Sequence, residues 1–138
     1  MSEASHLAVV IPSDTSRGSE VQEQILALME GKGFTDRDLF GVKLALEEAI
    51  VNAIKHGNQL DPGKTVQITC DITDQRAIII IEDQGEGFDP SDVPDPTDEE
   101  NLDKASGRGL MLMRAFMTSV THNENGNRVR MEKEKSAE

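Results

Sequence analysis

Glu48, Asn52 and His56 recur every fourth residue within Glu47-Glu48-Ala49-Ile50-Val51-Asn52-Ala53-Ile54-Lys55-His56-Gly57-Asn58, so a helix there places a carboxylate, an amide and an imidazole on one stripe. Farther along, Asp83-Gln84-Gly85-Glu86-Gly87-Phe88 puts a carboxylate and two glycines at the end of an apolar run. Ser106-Gly107-Arg108-Gly109-Leu110 then sets two glycines ahead of a helix start, where free backbone N–H groups and the helix dipole favour phosphate. Lys104 and Arg108 add local positive charge. Together these residues supply what a magnesium-bound nucleotide needs: oxygen for a hard cation, a carboxylate to accept from an adenine amino group, and donors for phosphate.

Each segment also has a plainer reading. Asp-x-Gly-x-Gly suits an ordinary turn. Gly107-Arg108-Gly109 suits the end of a loop, and it matches neither a Walker motif nor the dinucleotide Gly-x-Gly-x-x-Gly spacing. Glu48 and Asn52 suit the solvated face of an amphipathic helix, and His56 suits a helix C-terminus where it satisfies carbonyls. Against the solvated-face reading, Ala45, Ala49 and Ala53 keep the helix slim beside these polar groups, which points to a cleft at the rim of the core. No transition-metal site is expected. Cys70, Met111, Met113 and Met117 read as core packing, and Asp98-Glu99-Glu100 as a solvated loop face.

The elements that must position these groups follow from hydrophobic spacing. His6 to Ile11, stopped by Pro12, reads as a strand near a sheet edge. Val21, Ile25, Leu26, Leu28 and Met29 keep helical spacing from about Ser16 to the stop at Gly31-Lys32-Gly33. Thr35 with Asp38 approximates a capping box for a second helix, whose stripe Leu39, Val42, Leu46, Ala49 and Ala53 predicts a helix to about His56, ended by Gly57-Asn58. After the Asp61-Pro62-Gly63 turn, Val66, Ile68, Cys70 and Ile72 alternate with polar residues as a half-buried strand requires. Asp74-Gln75-Arg76 turns into Ala77 to Ile81, a continuous apolar run expected as a central strand ending at Asp83. A long acidic loop at about Asp89 to Ala105 holds three of the five prolines and suits a lid. A short helix from Leu110 to about Met117, a strand Ser119 to His122, and a hairpin signal at Asn125-Gly126 into Asn127 to Met131 complete the pattern, with a charged, frayed tail from Lys133.

Composition excludes several classes. The chain has 138 residues, the size of one ordinary domain, and its net charge of -12 repels nucleic acid and anionic membrane at long range. With one cysteine there is no internal disulfide, and no apolar run near the length of a membrane span or leader appears, so a cytoplasmic protein is expected. Four Phe and no Trp or Tyr weigh against a stacking platform for single-stranded bases.

Taken in order, Leu46 to Gly57, Asp83 to Phe88 and Gly107 to Leu110 resemble the boxes of the GHKL (histidine-kinase-like) ATPase superfamily, with the nearest likeness to bacterial anti-sigma-factor serine/threonine kinases. The resemblance implies an α+β fold, a two-layer Bergerat-type α/β sandwich with helices on one face of a mixed, mostly antiparallel sheet. It implies one ATPase domain over residues 1–138 with an ATP lid at about 89–105. By the same resemblance Glu48 is the general base, Arg108 offsets charge on the transferring phosphate, and Asn52 holds Mg²⁺. Asp83 reads the adenine amino group, Gly85 and Gly87 admit the nucleotide, and Gly107, Arg108, Gly109 and Leu110 wrap the phosphates. His56, Lys104 and Asn127 complete the candidate ATP contacts.

The implied function is an ATP-dependent protein serine/threonine kinase acting as an anti-sigma factor, which phosphorylates a STAS-type anti-sigma-factor antagonist and switches between it and a sigma factor. A homodimer is left open. Two alternatives stand beside it: a non-catalytic ATP-binding interaction module, and a detached histidine-kinase catalytic domain. His6 and His122 lie in strand contexts, and no long dimerisation helix carries a phospho-accepting His, which disfavours a complete histidine kinase. Three departures from the family pattern are Asn127 where a Thr often follows the hairpin glycine, Met111 where an aromatic often follows Gly-Leu, and Thr118 where an acid often follows Met.

Overall fold

A computed structural model describes residues 5–85, 114–123 and 127–136. Within them the order is β1 (Ser5–Pro12), α1 (Thr15–Gly31), α2 (Asp36–Val51), a π-helix (Asn52–Gly57), β2 (Thr65–Ile72), β3 (Arg76–Asp83), β4 (Ser119–His122) and β5 (Arg128–Glu134). The expected lid, Gly87, Met111, Met113 and the 104–110 segment lie outside the described residues. Of the helix expected from Leu110 to about Met117, residues 114–117 are described: 114–116 are helical and Met117 lies in a bend.

The five strands form one sheet in the order β1-β2-β3-β5-β4, and every described pairing is antiparallel. β1 is an edge strand, as Pro12 predicts, and β3 is central. Registers align Leu7, Cys70, Ile79, Met131 and Val120 in one row across all five strands. This row and its neighbours Ile68, Ile72, Ile81 and Val129 face the helices, while Gln67 and Asp71 point to solvent. From the other layer, Val21, Ile25 and Met29 on α1 and Val42, Leu46 and Ile50 on α2 close the core. Each such aliphatic side chain contributes about 1.5–3 kcal/mol by leaving water. Burial also pushes the Cys70 thiol up to about 11, so it is a packing group rather than a nucleophile.

Two local expectations are corrected. Of the tail expected to fray from Lys133, the described residues 133–136 are held: β5 continues to Glu134, which pairs with Arg76, and Lys135 Nζ donates to the carbonyl of Lys32 at 2.8 Å. Asp38 completes only half of a capping box. Thr35 Oγ1 accepts from the Asp38 N–H at 3.1 Å, but the Asp38 carboxylate turns to the chain's far end, accepting from Ser136 N at 2.9 Å and Ser136 Oγ at 2.5 Å. Burial pushes the Asp38 carboxyl up, yet the Ser136 hydrogen bonds with Lys133 and Thr35 outweigh it and hold it below the usual carboxylate range. Its stabilising effect is therefore complete above the ordinary carboxylate pKa and lost as pH falls through the lowered one. Asp38→Asn is expected to cost about 1–2 kcal/mol at pH 7. Urea midpoints of the two proteins should converge in acid.

Candidate functional site

Glu48 and Asn52 stand one turn apart at the C-terminal end of α2, both half-buried, and the Asn52 N–H reaches the carbonyls of Glu48 and Ala49. The side-chain Oδ1 of Asn52 is buried with no hydrogen-bond partner among the described residues. An unpaired buried acceptor costs about 1–3 kcal/mol, which makes this oxygen a candidate to meet a ligand, an ion or a water.

The expected α-helix does not run on to His56. From Asn52 the backbone widens into a π-helix, with Asn58 N bonding Ala53 O at 2.8 Å across five residues. His56 lies on this π-helix and is exposed, whereas Glu48 and Asn52 are half-buried. Gly57 does not take a left-handed conformation where the helix ends. The left-handed residues are instead Gln59 (φ 53°) and Leu60 (φ 59°), and Gly57 serves for close approach.

What approaches Gly57 is Asp83. A Cβ on Gly57 would lie 2.3 Å from the Asp83 carboxyl carbon, and a Cβ on Gly85 would lie 1.8 Å from the Gly57 carbonyl oxygen. Two glycines thus let the strand end, the turn and the π-helix meet. Asp83 is only 8% exposed; its Oδ1 accepts from the Gly85 N–H at 2.8 Å. Burial pushes its carboxyl above the usual range, with Glu82 adding to this and the Gly85 hydrogen bond and Lys64 opposing it.

Asn127 fixes Asp83 from the neighbouring strand through the backbone: Asp83 N donates to Asn127 O at 2.8 Å, and Asn127 Nδ2 donates to Asp83 O at 3.1 Å. Its side-chain Oδ1 accepts from Asn123 Nδ2 at 2.8 Å. Asn127 therefore positions the strand end that carries Asp83.

Asn58 is a structural partner that the sequence reading does not single out. It is fully buried, and its Oδ1 accepts from Gln84 N at 2.8 Å while its Nδ2 donates to Thr65 O at 2.9 Å and Ser13 Oγ at 3.1 Å. Gln84 returns the tie through Oε1, which accepts from Thr65 N at 2.8 Å. These bonds join the π-helix end to the start of β2 and the turn after β3. The only sequence signal was its place directly after Gly57.

Asn52 offers one neutral oxygen, a hard donor of the kind Mg²⁺ takes. Among the described residues no group of three His, Cys, Asp or Glu could hold a metal ion. The donor set thus fits a cation completed by phosphate oxygens and water, not an all-protein cage. Gly87, Lys104, Gly107, Arg108, Gly109 and Leu110 lie outside the described residues. Among the described residues, no helix is long and apolar enough to cross a membrane.

Comparison with known proteins agrees with this layout. The serine-protein kinase RsbW of Staphylococcus epidermidis is 29% identical over 123 residues, covering 84% of this chain and 77% of its own. An anti-sigma F factor of Clostridium perfringens is 30% identical over 119 residues, covering 74% and 84%, and the RsbW of Bacillus subtilis is 26% identical over 137 residues, covering 94% and 86%. Among solved structures, the RsbU and RsbW domains of a Mycobacterium tuberculosis protein superpose with a TM-score of 0.55 at 14% identity, over 95% of this chain and 32% of that one. The chain spans about a third of that solved chain, and the likeness shows the fold. The histidine kinase-like ATPase domain matches residues 11–133, and the chain belongs to that family.

Proposed function

We propose that this chain is an ATP-dependent protein serine/threonine kinase and anti-sigma factor, acting on a serine or threonine of a STAS-type antagonist. The observation that carries the reading is the buried, unpartnered Oδ1 of Asn52, one turn after Glu48 on a helix whose end packs against Asp83. The relatives named as serine-protein kinases and anti-sigma F factors support it.

In this reading Asp83, held in place by its close packing against Gly57 and Gly85, accepts from the adenine amino group. Asn52 holds Mg²⁺ with the phosphate oxygens; the ion, when bound, neutralises charge on the phosphoryl group. Glu48 takes the proton from the partner's hydroxyl as its oxygen bonds to the γ-phosphorus and the bridging oxygen departs with ADP. Lys104, Arg108 and the Gly107 to Leu110 backbone contact the phosphates, with residues 89–105 as the lid of one domain over 1–138. Phosphorylation of the antagonist releases it and leaves the kinase to hold a sigma factor.

Transfer of labelled γ-phosphate from ATP to a STAS protein tests the proposal. Tight ATP binding with no transfer to any such protein would favour a non-catalytic module. The adenine assignment has its own test, Asp83→Asn, which is expected to weaken ATP binding roughly 10- to 100-fold by calorimetry. The same change is expected to leave stability at pH 7 undiminished, because burial disfavours the charged carboxylate that it removes. Wild-type affinity should fall as pH drops through the raised Asp83 pKa, and that pH dependence should vanish in the variant.

A further inference from the structure

On the helical layer's outer side, α1 and α2 carry matching stripes. On α1, Glu23 and Glu30 bracket Leu26 and Ala27; on α2, Asp36 and Lys43 bracket Leu39 and Phe40, and the two stripes line one groove of about 400 Å³. Each stripe has the i, i+3, i+4, i+7 spacing of a helix made to meet another helix. Phe40 is 60% exposed, whereas Phe34 is 5% exposed and Phe116 packs on Gly41. An exposed aromatic between half-buried leucines is an anchor for a partner rather than a core residue. Phe40 lies two turns before Glu48, roughly 12 Å along the helix axis, so the groove is separate from the nucleotide site.

Charge narrows the occupant. The rim carries three carboxylates and one ammonium, and Glu30 and Asp36 flank the hairpin joining the helices; Arg37 lies off the stripe. A second copy would bring the same acidic rim from a chain of net charge -12, and nucleic acid or an anionic membrane would be repelled likewise. We infer that the groove is a docking site for a basic amphipathic helix of a partner protein. Its apolar face lies over Phe40, Leu39 and Leu26, and its Lys or Arg residues reach Glu30 and Asp36. This inference does not depend on nucleotide binding.

The probe is a fluorescein-labelled helical peptide of leucines and lysines, titrated with the full chain and followed by anisotropy and amide NMR shifts, with a leucine–glutamate peptide as its counterpart. The lysine peptide is expected to bind with shifts confined to the two stripes, and the glutamate peptide not to bind. Phe40→Ser is expected to weaken binding about tenfold or more. Its exposed position predicts an unchanged thermal melt. The double variant Glu30→Lys with Asp36→Lys is expected to lose the lysine peptide independently of Phe40. Unchanged binding in both variants, or shifts elsewhere on the molecule, would overturn the inference. So would a dimer in sedimentation that Phe40→Ser dissociates, which would assign the groove to a second copy, or Phe40-dependent binding to phosphatidylglycerol vesicles.

Discussion

Glu48→Ala is expected to lower phosphoryl transfer to a STAS-type protein by about 10²–10⁴-fold while ATP affinity changes by no more than roughly threefold. The asymmetry follows from position. Glu48 is half-buried one turn before Asn52, whose Oδ1 has no partner among the described residues; in the proposed mechanism it meets the incoming hydroxyl rather than adenine. A group that acts only as the proton moves alters the chemical step and leaves ground-state binding nearly alone. Single-turnover transfer of labelled phosphate, paired with calorimetric ATP titration, reads the two effects separately. Equal losses in both would make Glu48 a binding residue, and unchanged transfer would place the base elsewhere.

Gly85→Ala should be the most damaging single methyl in the described fold. The added carbon would sit 1.8 Å from the Gly57 carbonyl oxygen and 2.5 Å from its carbon, and neither backbone atom can rotate away as a side chain could. Relief requires the β3 turn and the π-helix to separate, which breaks the Gln84 and Asn58 bonds as well. A loss of about 3 kcal/mol or more is expected, together with loss of ATP binding. Urea unfolding measures the first and calorimetry the second. Gly31→Ala is the control: its methyl meets nothing within 4 Å, and stability should hold or rise.

The sheet was legible because its signals are local. Alternation in Val66, Ile68, Cys70 and Ile72 names their inward face, and Pro12 marks an edge, with no knowledge of partners. Asp83 was legible because an apolar strand ended at it. The misreadings share one cause, bonds between residues far apart in sequence. Asp38 leaves its capping box for Ser136, 98 residues on, and Lys133 and Glu134 stay in a strand despite their charge because β3 offers a ladder. Asn58 owes its burial to Ser13, Thr65 and Gln84, none of which its own segment announces. His56 illustrates the limit of a spacing rule. The fourfold recurrence assumes an α-helix throughout, and it does not announce the change of helix type at Asn52 or the exposure of the imidazole.

That change of helix type amounts to an insertion carried in plain view. A π-turn holds one residue more than the α-turn it replaces, and its geometry is the poorer of the two for the backbone. Removing one residue between Asn52 and Gly57 would let α2 run on straight, and Gly57 would no longer end opposite Asp83. Such a shortened protein would lose the buried Asn58 bonds to Ser13, Thr65 and Gln84 along with the approach to Asp83, so it would be less stable as well as harder to load with ATP. Selection on stability alone would therefore hold the extra residue in place, with no nucleotide needed in the medium.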